Sequence, residues 1–153
     1  MKKILFKILI LFAFTSCGFT PIYMNNKNVN YNINILEVNG DQEINQFMSS
    51  KLRKYSGKNL DRVYDVIIVS EFLKTSLAKD STGRTSDFKL SIKVIMDVIY
   101  NDKNQKYIFN ESINIKNDTD SFEQRNYEKT IKENFASSTV NKLIIKISSI
   151  KWF

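Results

Sequence analysis

The stretch FKLSIKVIMDVIY, from Phe88 to Tyr100, limits what this chain can fold into more than any other. Phe88, Leu90, Ile92, Val94, Met96, Val98 and Tyr100 fall on one side of an extended backbone, and Lys89, Ser91, Lys93 and Asp97 on the other. Strict period two over such a run marks a strand with one face buried and one face outward. At ~3.3 Å per residue it spans roughly 40 Å, so it needs long strand partners and a cover on its apolar side.

The neighbours supply the partners. YDVIIVSEFLKTSL, Tyr64 to Leu77, is rich in β-branched residues and apolar on both faces near its start, which predicts a central strand. The segment AKDSTGRTSD breaks it before Phe88, NDKNQ makes a turn after Tyr100, and KYIFNESINI gives a further strand through Tyr107, Phe109, Ile113 and Ile115. Three strands in succession predict an antiparallel meander. Upstream, YNINILEV alternates through Tyr31, Ile33 and Ile35 and reads as one more strand.

Helices supply the cover. After Asn39 and Gly40, Asp41 is placed to cap a helix over about Gln42 to Ser56. Its apolar stripe is Ile44, Phe47, Met48, Leu52 and Tyr55, and Gly57 ends it. A second helix starts after Thr119 or Asp120, with Glu123 completing a capping box. Tyr127, Ile131, Phe135, Val140, Leu143, Ile144, Ile147 and Ile150 recur along it every three or four residues. The adjacent Ser137 and Ser138 predict a bend, and Trp152 and Phe153 a terminal plug for the core. The fold class is therefore α+β, a four-stranded mostly antiparallel sheet with two helices packed on one face, in the order β-α-β-β-β-α.

The N-terminus states an address. Lys2, Lys3 and Lys7 precede an apolar run from Ile8 to Phe14, too short for the ~20 residues a permanent membrane span needs. Thr15 and Ser16 then lead to Cys17, the only cysteine. This is the layout of a bacterial lipobox, with Phe14 where leucine is usual. It predicts a signal peptide over 1–16, cleavage before Cys17 and acylation of its thiol. Several acyl chains together anchor a protein where one is marginal. Gly18 lacks the acidic group associated with inner-membrane retention, so the expected site is the periplasmic face of the outer membrane. Residues 17–30, asparagine-rich and without period, read as the acylated N-terminus and tether, and 31–153 as a single domain.

Composition narrows the chemistry. The chain carries +7 at neutral pH, and removal of 1–16 takes three lysines and no acid, leaving +4. That mild excess suits an anionic partner such as lipid phosphate and falls short of a nucleic-acid-binding pattern. Histidine is absent and the single thiol is assigned to the anchor, which removes the usual zinc and nucleophile constellations. The four glycines form no phosphate-cradling loop. No enzyme, metal or cofactor is expected. Asp118 and Asp120 read as helix-capping residues; a carboxylate hydrolase would need two of Asp65, Glu71, Asp97 and Glu111 to converge in a cleft.

The opening CGFTPIY behind a lipobox, the stretches STGRTSDFKLSIKVIMDVIY and SFEQRNYEKTIKENFASSTVNKLI, and the order of elements together resemble the lipopolysaccharide-assembly lipoprotein family LptE in its alphaproteobacterial form. The resemblance covers nearly all of the mature chain through individually soft motifs, and the helices here are richer in lysine and asparagine than those of that group. It implies an outer-membrane lipoprotein that plugs and helps assemble the LptD β-barrel and takes part in inserting lipopolysaccharide. Lipid A phosphates would then call for cations at the far tip, where Lys79 and Arg84 flank the turn, with Lys89 and Lys93 following on the polar strand face. The alternative is an auxiliary outer-membrane lipoprotein of another lipid-transport or secretion system.

Overall fold

The computed structural model describes residues 31–56 and 62–149. The segments read as signal and tether, Cys17, Gly57, Ile150, Trp152 and Phe153 lie outside the described residues. The chain builds β1 (Asn32–Gly40), α1 (Gln42–Leu52) with a closing 3-10 turn (Arg53–Tyr55), β2 (Val63–Lys79), β3 (Thr85–Tyr100), β4 (Lys103–Lys116) and α2 (Ser121–Ser149). The strands form one sheet in the order β1-β2-β3-β4. β1 runs parallel to β2, and β2, β3 and β4 are antiparallel, so the expected mostly antiparallel α+β fold is the one observed. A parallel neighbour cannot be reached by a tight turn; α1 makes the crossover and covers the sheet in doing so.

Both helices lie on the face that carries the even residues of β3. Leu90, Ile92, Val94, Met96 and Val98 are buried there with Tyr64, Val66 and Ile68 of β2 and Ile33 of β1. From above, α1 contributes Ile44, Met48 and Leu52, and α2 contributes Phe135, Ala136, Val140, Leu143 and Ile147. Tyr31 sits edge-on to Tyr64, ring centroids 5.4 Å apart, closing the core at the end where β1 begins. β1 stops where it does because of Gly40: its φ is +99°, and a Cβ there would lie 1.7 Å from the Ser70 carbonyl oxygen.

Several local expectations shift. The helix predicted to Ser56 is α-helical to Leu52 and finishes as the 3-10 turn. β1 bulges between Ile35 and Glu37, which moves Leu36 out of the alternation. The β3–β4 turn is only Asn101 and Asp102, both with positive φ (49° and 62°), so Lys103 to Gln105, expected in the turn, belong to β4. Asp120 caps α2, accepting from the Phe122 and Glu123 amides at 2.8 and 3.3 Å. The reciprocal side chain is Gln124, not Glu123: its Oε1 accepts from the Asp118 amide at 2.8 Å. α2 continues as helix through Ser137 and Ser138, the Ser137 hydroxyl donating back to the Glu133 carbonyl at 2.8 Å. Tyr127, expected on the apolar face, is 52 % exposed. Here the inward stripe is carried on by Gln124, Glu128 and Lys132, which meet charged partners where apolar ones were expected.

The elements give the molecule two ends. At the base lie the start of β1, the end of α1, the entry to β2, the β3–β4 turn and the end of α2. The contacts that gather them are Ser56 Oγ donating to Ile33 O at 2.6 Å, Asn32 N to Arg62 O at 2.7 Å, and Ser148 Oγ against Tyr31 Oη at 3.2 Å. At the tip is the β2–β3 hairpin, roughly 50 Å away along the strands. β1 ends at the level of Ser70, so beyond it the sheet continues as three strands only.

Candidate functional site

The tip is organised by one carboxylate. Asp80 Oδ1 accepts from the Thr82 hydroxyl (2.6 Å) and from the Thr82 and Arg84 amides (2.8 and 3.0 Å). The Asp80 amide donates to the Arg84 carbonyl at 2.8 Å, and Gly83, with φ of +83°, donates to the Asp80 carbonyl at 3.0 Å. The five residues are thereby tied into a ring. The Thr82 hydroxyl, helped by the surrounding amides, holds the Asp80 carboxyl below its ordinary pKa, so the turn keeps its geometry wherever that carboxylate is ionised.

Lys79 and Arg84 flank this ring, directly at the end of the β2–β3 ladder and exposed. Among the described residues no ion pair involves either side chain. The start of α2 comes alongside: Asn117 donates through its amide to Ser86 O and through Nδ2 to Thr85 O, both at 2.8 Å. Exposed apolar groups accompany the cations, Leu77 at 52 % and Phe122 at 60 %.

Lys89 and Lys93 are elsewhere. They stand on the uncovered face of β3, roughly 13 Å apart and, for Lys93, about 30 Å along the strand from Arg84. They border an open depression of about 380 Å³ shared with Glu71, Leu73, Ser91 and Asn110. Lys93 lies directly across from Glu71, while Lys79 and Arg84 stand beside Asp80, with Asp87, Asp118 and Asp120 further back around the hairpin. The four cations named from sequence thus divide into a pair at the tip and a pair on the sheet.

The same uncovered face carries a cross-strand row of Val69, Ile95 and Ile108. Of the carboxylates, Asp65 and Asp97 are diagonal neighbours there; Asp65 accepts from Asn34 Nδ2 at 2.9 Å, and Asp97 Oδ1 is 3.8 Å from Lys106 Nζ. Glu71 is roughly 20 Å further along β2, and Glu111, opposite Ile92, is on the helical face. The four do not converge. Asp118 and Asp120 act as capping residues, Asp118 Oδ1 accepting from the Asp120 amide at 2.9 Å.

A polar cluster missed in the sequence ties α2 to the β1–α1 junction. Lys132 Nζ lies 2.8 Å from both Asp41 Oδ2 and Glu43 Oε2 and 4.1 Å from the centroid of the Phe72 ring. Burial alone would lower the lysine pKa, but the hydrogen bonds and charges of Asp41 and Glu43 together raise it above 10.5. Beside it, the Ser70 hydroxyl donates to Asn45 Oδ1 at 2.8 Å. Lys132 and Asp41 are 91 residues apart, and no spacing rule connects them.

No protein-family model matches this chain, and no curated protein does. Solved structures share its fold. Rare lipoprotein B from Shewanella oneidensis superposes with a TM-score of 0.54 at 13 % identity, covering 75 % of this chain and 97 % of that one. A Caulobacter crescentus CB15 protein described as a lipoprotein gives 0.53 at 12 % identity, over 76 % and 88 %. A minor lipoprotein from Acinetobacter baumannii gives 0.50 at 9 % identity, over 72 % and 93 %.

Proposed function

We propose that this protein is an outer-membrane lipoprotein, anchored through acylated Cys17, that plugs and helps assemble an LptD-type β-barrel and takes part in inserting lipopolysaccharide into the outer leaflet. The observation that carries the proposal is the fold, shared over almost the full length of rare lipoprotein B, on a chain whose own N-terminus reads as a lipobox. The proportions support it. A plug must be rigid and must present polar groups to a polar lumen. Here a single sheet roughly 50 Å long has its uncovered face lined by Asn, Ser, Lys, Asp and Glu side chains interspersed with the Val69 row and the exposed Val63 and Leu73. At the far end from the tether, Lys79 and Arg84 beside exposed Leu77 and Phe122 suit a ligand that combines phosphate with acyl chains, and the guanidinium can hold a phosphate through two hydrogen bonds. Lys89 and Lys93 would take a secondary part along the sheet.

The test is an affinity pull-down of tagged protein from detergent-solubilised outer membrane, wild type beside Cys17→Ala. A large β-barrel is expected to co-purify stoichiometrically with the wild type, and the variant separates anchoring from barrel binding. If the protein is recovered alone or with inner-membrane transporter subunits, the barrel role is wrong and an auxiliary lipoprotein of another transport or secretion system takes its place.

A further inference from the structure

Charge is not spread evenly between the two ends. Arg53 and Lys54 close α1 at the base, Arg62 leads into β2 and Lys103 opens β4; all four are exposed. Lys51, half-buried, precedes them in the last turn of α1. They come from three separate segments that the fold gathers at one level: the end of α1 is bound to β1 through Ser56 and Ile33, Arg62 to β1 through Asn32, and Lys103 pairs with Tyr100 across the turn. The described carboxylates at this end are Asp102 in that turn and, a few residues further up the sheet, Asp65 beside Asn34 and Asp97 beside Lys106, which leaves the cations in excess. Towards the tip Lys79, Arg84, Lys89, Lys116 and Arg125 are matched by Asp80, Asp87, Asp118, Asp120 and Glu123 around the hairpin and the start of α2, so that end carries no comparable excess. None of the described ion pairs involves Lys51, Arg53, Lys54 or Arg62.

The geometry points to the base as a docking surface for an anionic phospholipid bilayer. Tyr31, at that same base, follows the 14-residue segment that opens with Cys17. Fully extended, such a segment reaches about 50 Å, as long as the domain itself, so the tether sets proximity to the bilayer and leaves orientation free. The basic collar sets orientation. A cation close to an anionic leaflet is worth about a fivefold gain in binding, within a Debye length of ~8 Å at physiological salt, so only the end that touches the headgroups counts. Val63, 43 % exposed beside Arg62, adds an apolar group at the same level. Basic residues at a helix C-terminus also complement its dipole, which accounts for Lys51 in α1; Arg62 immediately precedes β2 and Lys103 opens β4, where no such role exists. The inference rests on Cys17 as the anchor and is independent of the barrel.

The experiment is co-sedimentation of the mature chain, from residue 17 and carrying Cys17→Ser so that no acyl chain contributes, with phosphatidylcholine vesicles alone or containing phosphatidylglycerol. Binding is expected to the anionic vesicles only, to weaken at least tenfold between low and 0.5 M salt, and to weaken at least tenfold in Arg53→Glu/Lys54→Glu/Arg62→Glu. Lys116→Glu/Lys129→Glu, exposed cations towards the tip with no part in the proposed phosphate site, should leave it unchanged. Arg53→Gln/Lys54→Gln/Arg62→Gln, milder towards the α1 terminus, should give an intermediate loss with an unaltered melting temperature. Equal binding to neutral vesicles, no binding to anionic ones, or a loss in the tip variant as large as that at the base would overturn the proposal. A barrel recovered or missing in the pull-down bears on neither outcome.

Discussion

Two residues show how narrowly single positions are constrained. Gly40 combines a left-handed backbone with an approach to the Ser70 carbonyl that leaves no room for a Cβ. Gly40→Ala should destabilise by about 3 kcal/mol, read as a lower denaturation midpoint, because both strain and overlap must be relieved. A loss under about 1 kcal/mol would mean that the β1–α1 junction shifts freely. Lys132, with 9 % of its side chain exposed between Asp41 and Glu43, is the other. Lys132→Met leaves the carboxylates without their cation and should cost about 2 kcal/mol, below the full buried-pair value because Glu43 is half in solvent. The pH dependence has a definite sign. A lysine whose pKa is raised on folding contributes fully below its ordinary 10.5 and loses that contribution as pH rises through the folded value. Tyr31 and Tyr107, raised above 10.0 chiefly by burial, titrate in the same sense in both proteins. The gap in melting temperature between wild type and Lys132→Met should therefore be widest at neutral pH and shrink above about pH 10.5; a constant gap would count against the ion cluster as its source. Neither constraint is legible locally. A glycine after an asparagine suggests a turn, but what it avoids is contributed by Ser70, and Lys132 looks like any polar position on a helix.

At the scale of elements, the strands were the most legible because period two is a local property of the sequence. Phe88 to Tyr100 appears as β3 with its even residues buried from Leu90 to Val98 and half-buried at Phe88 and Tyr100, extended by the three residues before it. Ends were less legible, since hydrogen-bond geometry decides them: two positive-φ residues suffice for the β3–β4 turn, so β4 starts three residues before the segment expected to form it. In α2 the stripe reads correctly from Phe135 to Ile147 and fails at Tyr127, where Glu128, paired with Lys74 at 2.6 Å, takes the inward position instead. Of the candidate site, the tip pair was legible as two cations bracketing a turn, while the separation of Lys89 and Lys93 required the register. The hairpin makes its own prediction. Asp80→Ala removes the acceptor for the Thr82 and Arg84 amides, so those amides should exchange with solvent at least tenfold faster while the β3 core amides keep their protection. Unchanged exchange at the tip would mean that the carboxylate does not hold the turn.

For the molecule as a whole, the single cysteine means that no internal disulfide closes the fold, and its stability has to come from one apolar layer between a sheet and two helices. The melting temperature should be the same with and without reductant, and Leu143→Ala, emptying a fully buried site under α2, should lower stability by about 3 kcal/mol. A reductant effect would betray a covalent dimer through Cys17 in unacylated material. The parallel pairing of β1 with β2 also has a mechanical side. The tether proposed for residues 17–30 would join the chain at the start of β1, and the hydrogen bonds from Asn32 to Gly40 lie across the strand direction. A pull along the tether, away from a domain held by its far end, therefore loads the whole β1–β2 ladder in shear. The rungs share the force together and do not peel one by one, so the strand that follows the proposed anchor is also the one best placed to bear strain from a membrane.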